Sequence, residues 1–184
     1  EKHFTPSYKP WDQRVCLVPD GDLFQSIKDK KSSVVTDTID EFLSDGILLN
    51  SGEKIEADII VTATGIELNS LNGIDVAIDS VKVFPNERLT YKGMMLSGVP
   101  NFAMSFGYVN ASWTLRADLT CEYVCRLIKL MDKKGTACCK PIDDKSAYGD
   151  DKLIDFTSGY FQRGLHLMPK QGNKAPWKNY QNYL

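Results

Sequence analysis

The stretch 98–115, GVPNFAMSFGYVNASWTL, carries the residue types and spacing best suited to chemistry in this chain. An apolar run at 102–106 is followed by Gly107-Tyr108-Val109-Asn110-Ala111-Ser112, and a long amphipathic pattern begins at Trp113. The pattern predicts a buried strand, a turn of small polar residues and a helix. The first N–H groups of a helix lack partners within it, and the aligned peptide dipoles add partial positive charge at that end. A strand feeding such a start aims donors at whatever lies beyond it, which suits an electron-rich group. The competing reading is an ordinary strand–turn–helix corner with Ser112 or Asn110 as its N-cap.

Other reactive side chains form no constellation. The five cysteines, Cys16, Cys121, Cys125, Cys138 and Cys139, contain no CxxC pair for zinc or redox work. Cys121 and Cys125 lie four apart on the predicted helix and are expected as small buried apolar groups. This usage points to a reducing, cytoplasmic compartment. His3 and His166 join no motif, and no metal site is expected.

The 184 residues suffice for one good core or two small ones. With 25% charged residues the composition is that of a globular chain. A net charge of −2 argues against nucleic acid or an anionic membrane as partner, since both require clustered Lys and Arg. No apolar run reaches the length of a bilayer span, and the first residues lack the apolar stretch of a signal peptide. The chain opens without Met in a Pro-rich, turn-like stretch, and so reads as an interior piece of something longer.

The elements that must position the corner follow from periodicity. Residues 1–14 are irregular, and Val15-Cys16-Leu17-Val18 reads as a short strand. Pro19-Asp20-Gly21-Asp22 starts a helix with Asp20 or Asp22 as N-cap. That helix ends in Lys28-Asp29-Lys30-Lys31, a solvated basic end. From 33 to 56 the period is two, with strands at 34–36, 39–42 and 46–49 and an exit at 54–56, which predicts an antiparallel meander. Ile59-Ile60-Val61 reads as a strand covered on both faces, ending in Ala63-Thr64-Gly65, where small residues admit a close approach. Residues 66–97 are weakly periodic, with short strands near 76 and 81–83. The helix from Trp113 carries Ala117, Cys121, Val124, Leu127, Ile128 and Met131 on one stripe and stops at Lys133-Lys134-Gly135. The aromatic tail from Lys152 is expected to wrap the body.

In this order and spacing, Trp11-Asp12-Gln13-Arg14, Ala63-Thr64-Gly65, Gly98-Val99-Pro100-Asn101-Phe102 and Gly107-Tyr108-Val109-Asn110-Ala111-Ser112-Trp113-Thr114 resemble a known family. The chain is similar, over roughly residues 1–170, to the C-terminal part of a flavin-containing monooxygenase of the Baeyer–Villiger type. The resemblance implies an α/β fold: the C-terminal portion of a flavoprotein with two dinucleotide-binding domains, glutathione-reductase-like, with a β-meander and one long amphipathic helix. It implies that 1–64 close an NADPH-binding domain and 65–184 close an FAD-binding domain. Both GxGxxG loops should lie upstream, and this sequence contains neither. With no such loop to hold a pyrophosphate, the isolated piece is expected to bind FAD weakly or not at all and to be inactive.

The implied reaction uses NADPH to reduce the flavin, which adds O2; the resulting peroxyflavin transfers one oxygen atom to a ketone, sulfide or amine. By resemblance Arg14 stands beside the flavin. A fixed guanidinium stays charged at any working pH, and losing one such stabiliser costs about 3–4 kcal/mol in the barrier. Without the resemblance Arg14 reads as a surface or ion-paired arginine. Gln13 takes a place that can face the NADPH phosphate or ribose, where the family often has Lys. Gly107, Asn110, Ala111, Ser112, Trp113 and Thr114 take the flavin's pyrimidine edge, and Thr64 and Gly65 the interdomain hinge near the nicotinamide. Trp177 is expected to pack rather than to gate the cofactor. The partners implied are a small-molecule substrate, O2 and the upstream half of the same chain. Two other readings stand: a disulfide-reductase-like flavoprotein fragment, which needs a redox cysteine pair, and a non-catalytic binding or scaffold module that keeps the fold without its cofactor loops.

Overall fold

Alternating apolar and polar residues between short turns make residues 39–56 an antiparallel meander. In a computed structural model, which describes residues 3–6, 8–9, 16–108, 111–149 and 157–181, its strands are β1 (Ile39–Leu43), β2 (Gly46–Leu49) and β3 (Lys54–Glu56). Leu43 pairs with Gly46 across a two-residue turn, Ile47 with Phe42 and Ile55. Gly46 is required by close approach: a Cβ there would lie 2.1 Å from the Ile55 carbonyl oxygen. The Lys54 ammonium meets the Asp45 carboxylate at 2.5 Å across the turn.

The chain divides into two units, Glu1–Gly65 and Ile66–Leu184. The meander belongs to the first, together with helix α1 (Asp22–Lys28). No side chain caps α1. Gly21 holds the N-cap place with φ 69°, Asp20 lies in the preceding 3-10 turn, and Asp22 is the first helical residue, so neither aspartate acts as the expected cap. Asp22 and Lys28 still complement the helix dipole from either end. The basic run 28–31 is exposed, as a solvated helix end should be.

Three expected strands of this unit do not form. Residues 16–18 and 34–36 are outside any strand. The apolar run 59–61 is likewise unpaired, with Ile59 82% and Val61 84% exposed. A strand covered on both faces needs ladder partners on both edges, and such partners come from distant sequence. The described residues of this unit supply none for 59–61.

The second unit holds most of the buried apolar side chains. Hairpin β4 (Val76–Ile78) and β5 (Val81–Val83) turns through Asp79 and Ser80, both at positive φ. Hairpin β6 (Thr90–Tyr91) and β7 (Met95–Leu96) turns through Lys92, Gly93 and Met94. Val83, Leu96 and Val99 form one cluster, with Phe102 and Met104 packed on it. Leu89, Ala147 and Trp177 form another, and Phe161 with Met168 a third.

The tail wraps this body, as expected. Thr90 N–H donates to Lys170 O (2.8 Å), Lys170 N–H to Arg88 O (2.9 Å), and Lys92 N–H to Pro176 O (2.8 Å). Helix α2 (Trp113–Lys134) begins and ends where the pattern predicts, with Gly135 in the left-handed conformation at its end. Its stripe is narrower than expected. Thr120 is buried and Ala117, Tyr123, Val124, Leu127 and Met131 are half-buried, while Trp113, Cys121, Cys125 and Ile128 are exposed. The two helix cysteines are therefore not the buried groups that spacing suggests; all five are free thiols. Helix α3 (Gly159–Gly164) leads into a 3-10 turn at Leu165–Leu167. Among the described residues, no helix is long and apolar enough to cross a membrane.

Candidate functional site

The corner before α2 is built from one-sided packing. Along 102–106 the burial alternates: Phe102, Met104 and Phe106 are half-buried, Ala103 and Ser105 exposed. The segment is thus not the buried strand expected. It keeps the period of a strand but has no ladder; Met104 N–H donates to Met94 O at 2.7 Å. Phe106 packs on the Phe161–Met168 cluster and its ring lies 5.2 Å from that of Trp113.

Gly107 and Tyr108 are buried at the turn. A Cβ on Gly107 would lie 2.2 Å from the Trp113 ring, so the indole rests directly against that backbone. Ser112 holds the N-cap place of α2 with extended φ/ψ, but its side chain does not cap the helix. Its Oγ lies 2.7 Å from Thr114 Oγ1 instead. Residues 111–115 are all exposed. The Ser112 side chain therefore leaves the first N–H groups of α2 without the usual N-cap hydrogen bond from that residue.

One turn on, Arg116 ties the helix to the rest of the unit. Its Nη1 donates to Tyr180 O (3.1 Å), and its Nη2 to Lys92 O (3.0 Å) and Asn179 Oδ1 (2.5 Å). The guanidinium carbon lies 5.3 Å from the centroid of the Tyr108 ring. Asn179 is fixed in turn by its N–H to Gln171 Oε1 (3.0 Å). Lys92 grips the helix a second time, its ammonium 4.6 Å from the centroid of the Tyr123 ring. Burial, reinforced by a hydrogen bond with Tyr91, pushes the Tyr123 hydroxyl up to about 12.

Of the residues the sequence nominates, Gly107, Ala111, Ser112, Trp113 and Thr114 come together at this corner. Gln13, Arg14 and Asn110 lie outside the described residues. Thr64 and Gly65 are exposed at the end of the first unit; Gly65 has φ 99° with open space around its Cα, so backbone conformation rather than crowding calls for glycine there. Trp177 is 4% exposed and meets Tyr91 edge-on at 5.4 Å, a packing role. His3 Nδ1 lies 2.8 Å from Thr36 Oγ1, and the His166 carbonyl accepts from Asn86 Nδ2 at 3.0 Å. No group of three or more metal-ligating side chains occurs among the described residues. Arg116 is what sequence reading passed over. A cation in the first turn of a helix runs against the dipole, and that was the one signal available.

No protein-family model matches the chain, and no solved structure matches it. Curated relatives do. The chain is 49% identical over 184 residues to the FAD-containing monooxygenase EthA of Mycolicibacterium smegmatis, covering 100% of this chain and 37% of that protein. It is 48% identical over 184 residues to the probable FAD-binding monooxygenase AlmA of an Acinetobacter species, with 100% and 37% covered. Against EthA of Mycobacterium tuberculosis the identity is 51% over 183 residues, again 100% and 37%. Along its whole length the chain is similar to one part of each of these proteins. It spans about 37% of the length of these curated relatives.

Were FAD to bind at this corner, the N–H groups of Trp113 and Thr114, the first of α2, would be the donors for the carbonyl and nitrogen acceptors along one edge of an isoalloxazine. The place a Gly107 side chain would take is filled by Trp113, so that glycine shapes the turn and leaves no cradle for a phosphate. The sequence has no Gly-rich loop for the pyrophosphate.

Proposed function

We propose that these 184 residues form the closing portion of an FAD- and NADPH-dependent monooxygenase of the Baeyer–Villiger type. The longer protein would transfer one oxygen atom from O2 to a ketone or a heteroatom of a small-molecule substrate. The observation that carries the reading is the start of α2, exposed and without a capping bond from Ser112, reached through Gly107, in a chain similar over its whole length to FAD-containing monooxygenases. In this reading the fold is a glutathione-reductase-like α/β flavoprotein, the first unit closes the NADPH-binding domain, and the second closes the FAD-binding domain. The apolar segments 59–61 and 102–106, neither of them in a strand ladder, support it, because both have the composition of strands that would take neighbours from more of the chain. The named relatives are monooxygenases, which weighs against a disulfide reductase or a non-catalytic scaffold.

FAD supplies the oxygen-activating chemistry when bound. The residues of this chain then have separable tasks. Backbone N–H groups at 113 and 114 would hold the ring edge, and Trp113 and Gly107 would set the angle of the turn. By the resemblance, Arg14 would provide fixed positive charge beside the reacting centre, Gln13 would serve the NADPH side, Thr64 and Gly65 the hinge, and Asn110 and Ala111 the flavin's pyrimidine edge. A cytoplasmic location suits this chemistry and the free thiols.

The test is the longer polypeptide that carries these residues. It should purify yellow and consume NADPH and O2 with a ketone. Arg14→Ala should retain FAD and its spectrum while substrate oxygenation falls by roughly 10²–10³, the cost of one lost charge stabiliser. A variant that oxygenates normally removes Arg14 from the mechanism, and a colourless wild type removes the flavin reading.

A further inference from the structure

We propose that Arg116 is a positioning residue for the flavin corner: it aims the start of α2 and adds a fixed positive charge behind it. The inference rests on the flavin reading and goes beyond the residues that touch the ring. The first point is placement. Arg116 is the fourth residue of α2, in the turn where the helix dipole disfavours a cation, and that turn carries no acidic residue. The second is the set of partners. All three acceptors are neutral, two backbone carbonyls and an amide oxygen, and the tyrosine face is neutral too. Among the described residues no carboxylate forms an ion pair with it. Its three hydrogen bonds go to neutral acceptors, so none of them offsets the guanidinium's charge.

The third point is that the surroundings are cut to admit this group. Gly93 has φ 69°, and a Cβ there would lie 2.6 Å from Arg116 Nη2 and 2.7 Å from Asn179 Oδ1. The fork joins four pieces: the β6–β7 turn through Lys92, the tail through Asn179 and Tyr180, the corner through Tyr108, and α2 itself. A lysine could keep the charge but could not reach three acceptors in one plane. Packing alone would be served by an uncharged side chain. A cation with no counter-ion among the described residues, beside a helix N-terminus, instead raises the potential at the place where the isoalloxazine gains negative charge on reduction. Arg116 therefore favours the reduced over the oxidised cofactor without touching it.

The experiment uses the full-length holoprotein with Arg116→Gln, Arg116→Lys and Gly93→Ala, and reads the flavin midpoint potential and the dissociation constants of oxidised and reduced FAD. Arg116→Gln should lose about tenfold of the preference for reduced FAD, which is about 30 mV lower for a two-electron couple. Arg116→Lys should keep the potential within a few millivolts of wild type while weakening both FAD constants together, because charge remains and aim is lost. Should Arg116→Gln fail to accumulate, Gly93→Ala carries the test: it crowds the fork but keeps the charge, and must weaken FAD without lowering the potential. An unchanged potential in Arg116→Gln, or equal losses in the Gln and Lys variants, overturns the proposal. A wild type that binds no FAD overturns the flavin reading itself, a distinguishable result.

Discussion

The two units of this chain spend their apolar residues differently. In Ile66–Leu184, eleven apolar side chains are buried among the described residues, including Leu89 and Leu96 at 0% exposure; in Glu1–Gly65 only Leu49 is. Yet the first unit is not poor in such residues. Ile39, Phe42, Ile59 and Val61 all stand exposed. Its meander is held by ladder hydrogen bonds and by turns, with little apolar surface removed from water. The second unit has hairpins of two and three residues per strand, which ladders alone would not sustain. Tertiary packing holds them, with the tail laid across as a further layer. The lesson is that regular structure and stability are separable: the unit with the better sheet has the weaker core.

The largest effect that can break this comparison comes from the core. Leu96→Ala removes a fully buried side chain of β7 from the cluster it forms with Val83 and Val99 and should cost about 2–5 kcal/mol. Ile59→Ser, at a site 82% exposed, should change stability by no more than about 0.5 kcal/mol. Denaturant unfolding of the 184-residue chain measures both. A large loss from Ile59→Ser would mean that the first unit hides a core, and the contrast would fail.

A smaller effect comes from making the same change in each unit. Gly46→Ala drives a Cβ to 2.1 Å from a backbone oxygen of β3, which cannot yield without parting the ladder. Overpacking of this kind costs about 1–3 kcal/mol, and strand pairing at 46–56 should be lost in amide exchange. Gly107→Ala meets the ring of Trp113 at 2.2 Å, but that ring is 48% exposed and can swing away. Its cost should be about 1 kcal/mol, seen mainly as a red shift of tryptophan emission. If the two variants behave alike, backbone and side-chain obstruction are not the distinction drawn here.

How much of this could be read from the sequence follows the same divide between local and distant contacts. The meander and α2 are local patterns, period two between turns and period 3.6 ending at Gly135; the helix and the strands from 39 to 56 formed where expected, and the strand expected at 34–36 did not. The strands expected at 59–61 and 102–106 depend on partners far along the chain, and apolar composition alone does not supply them. Ser112 was legible as an N-cap position, but that its hydroxyl would turn to Thr114 was not. The Arg116 fork was illegible for a further reason. Two of its three acceptors are backbone carbonyls, of Lys92 and Tyr180, and a carbonyl oxygen is the same in every residue.

The finest test of the contrast is pH, because each unit carries its own titrating group. Asp45 has its carboxyl lowered, chiefly by the hydrogen bond from Lys54. Its contribution is present above the ordinary value of 3.8 and is lost as pH falls through the lowered folded value. The pair lies at the surface, so water and salt screen it and the acid loss in the meander should be slight. Tyr123 has the opposite sense. Its hydroxyl ordinarily ionises at 10.0 and is pushed up to about 12, first by burial. Below pH 10 its stabilisation is complete; between 10 and 12 the unfolded chain gives up the proton first, and the second unit weakens. Urea midpoints against pH should therefore fall on the alkaline side when read by Trp177, which is buried in the second unit, and on the acid side when read by amide signals of 39–56. Tyr123→Phe has no proton to lose and should flatten only the alkaline limb, while Lys54→Met flattens only the acid one. A single variant that flattens both would show that the units unfold together, and the difference in their cores would then not make them independent.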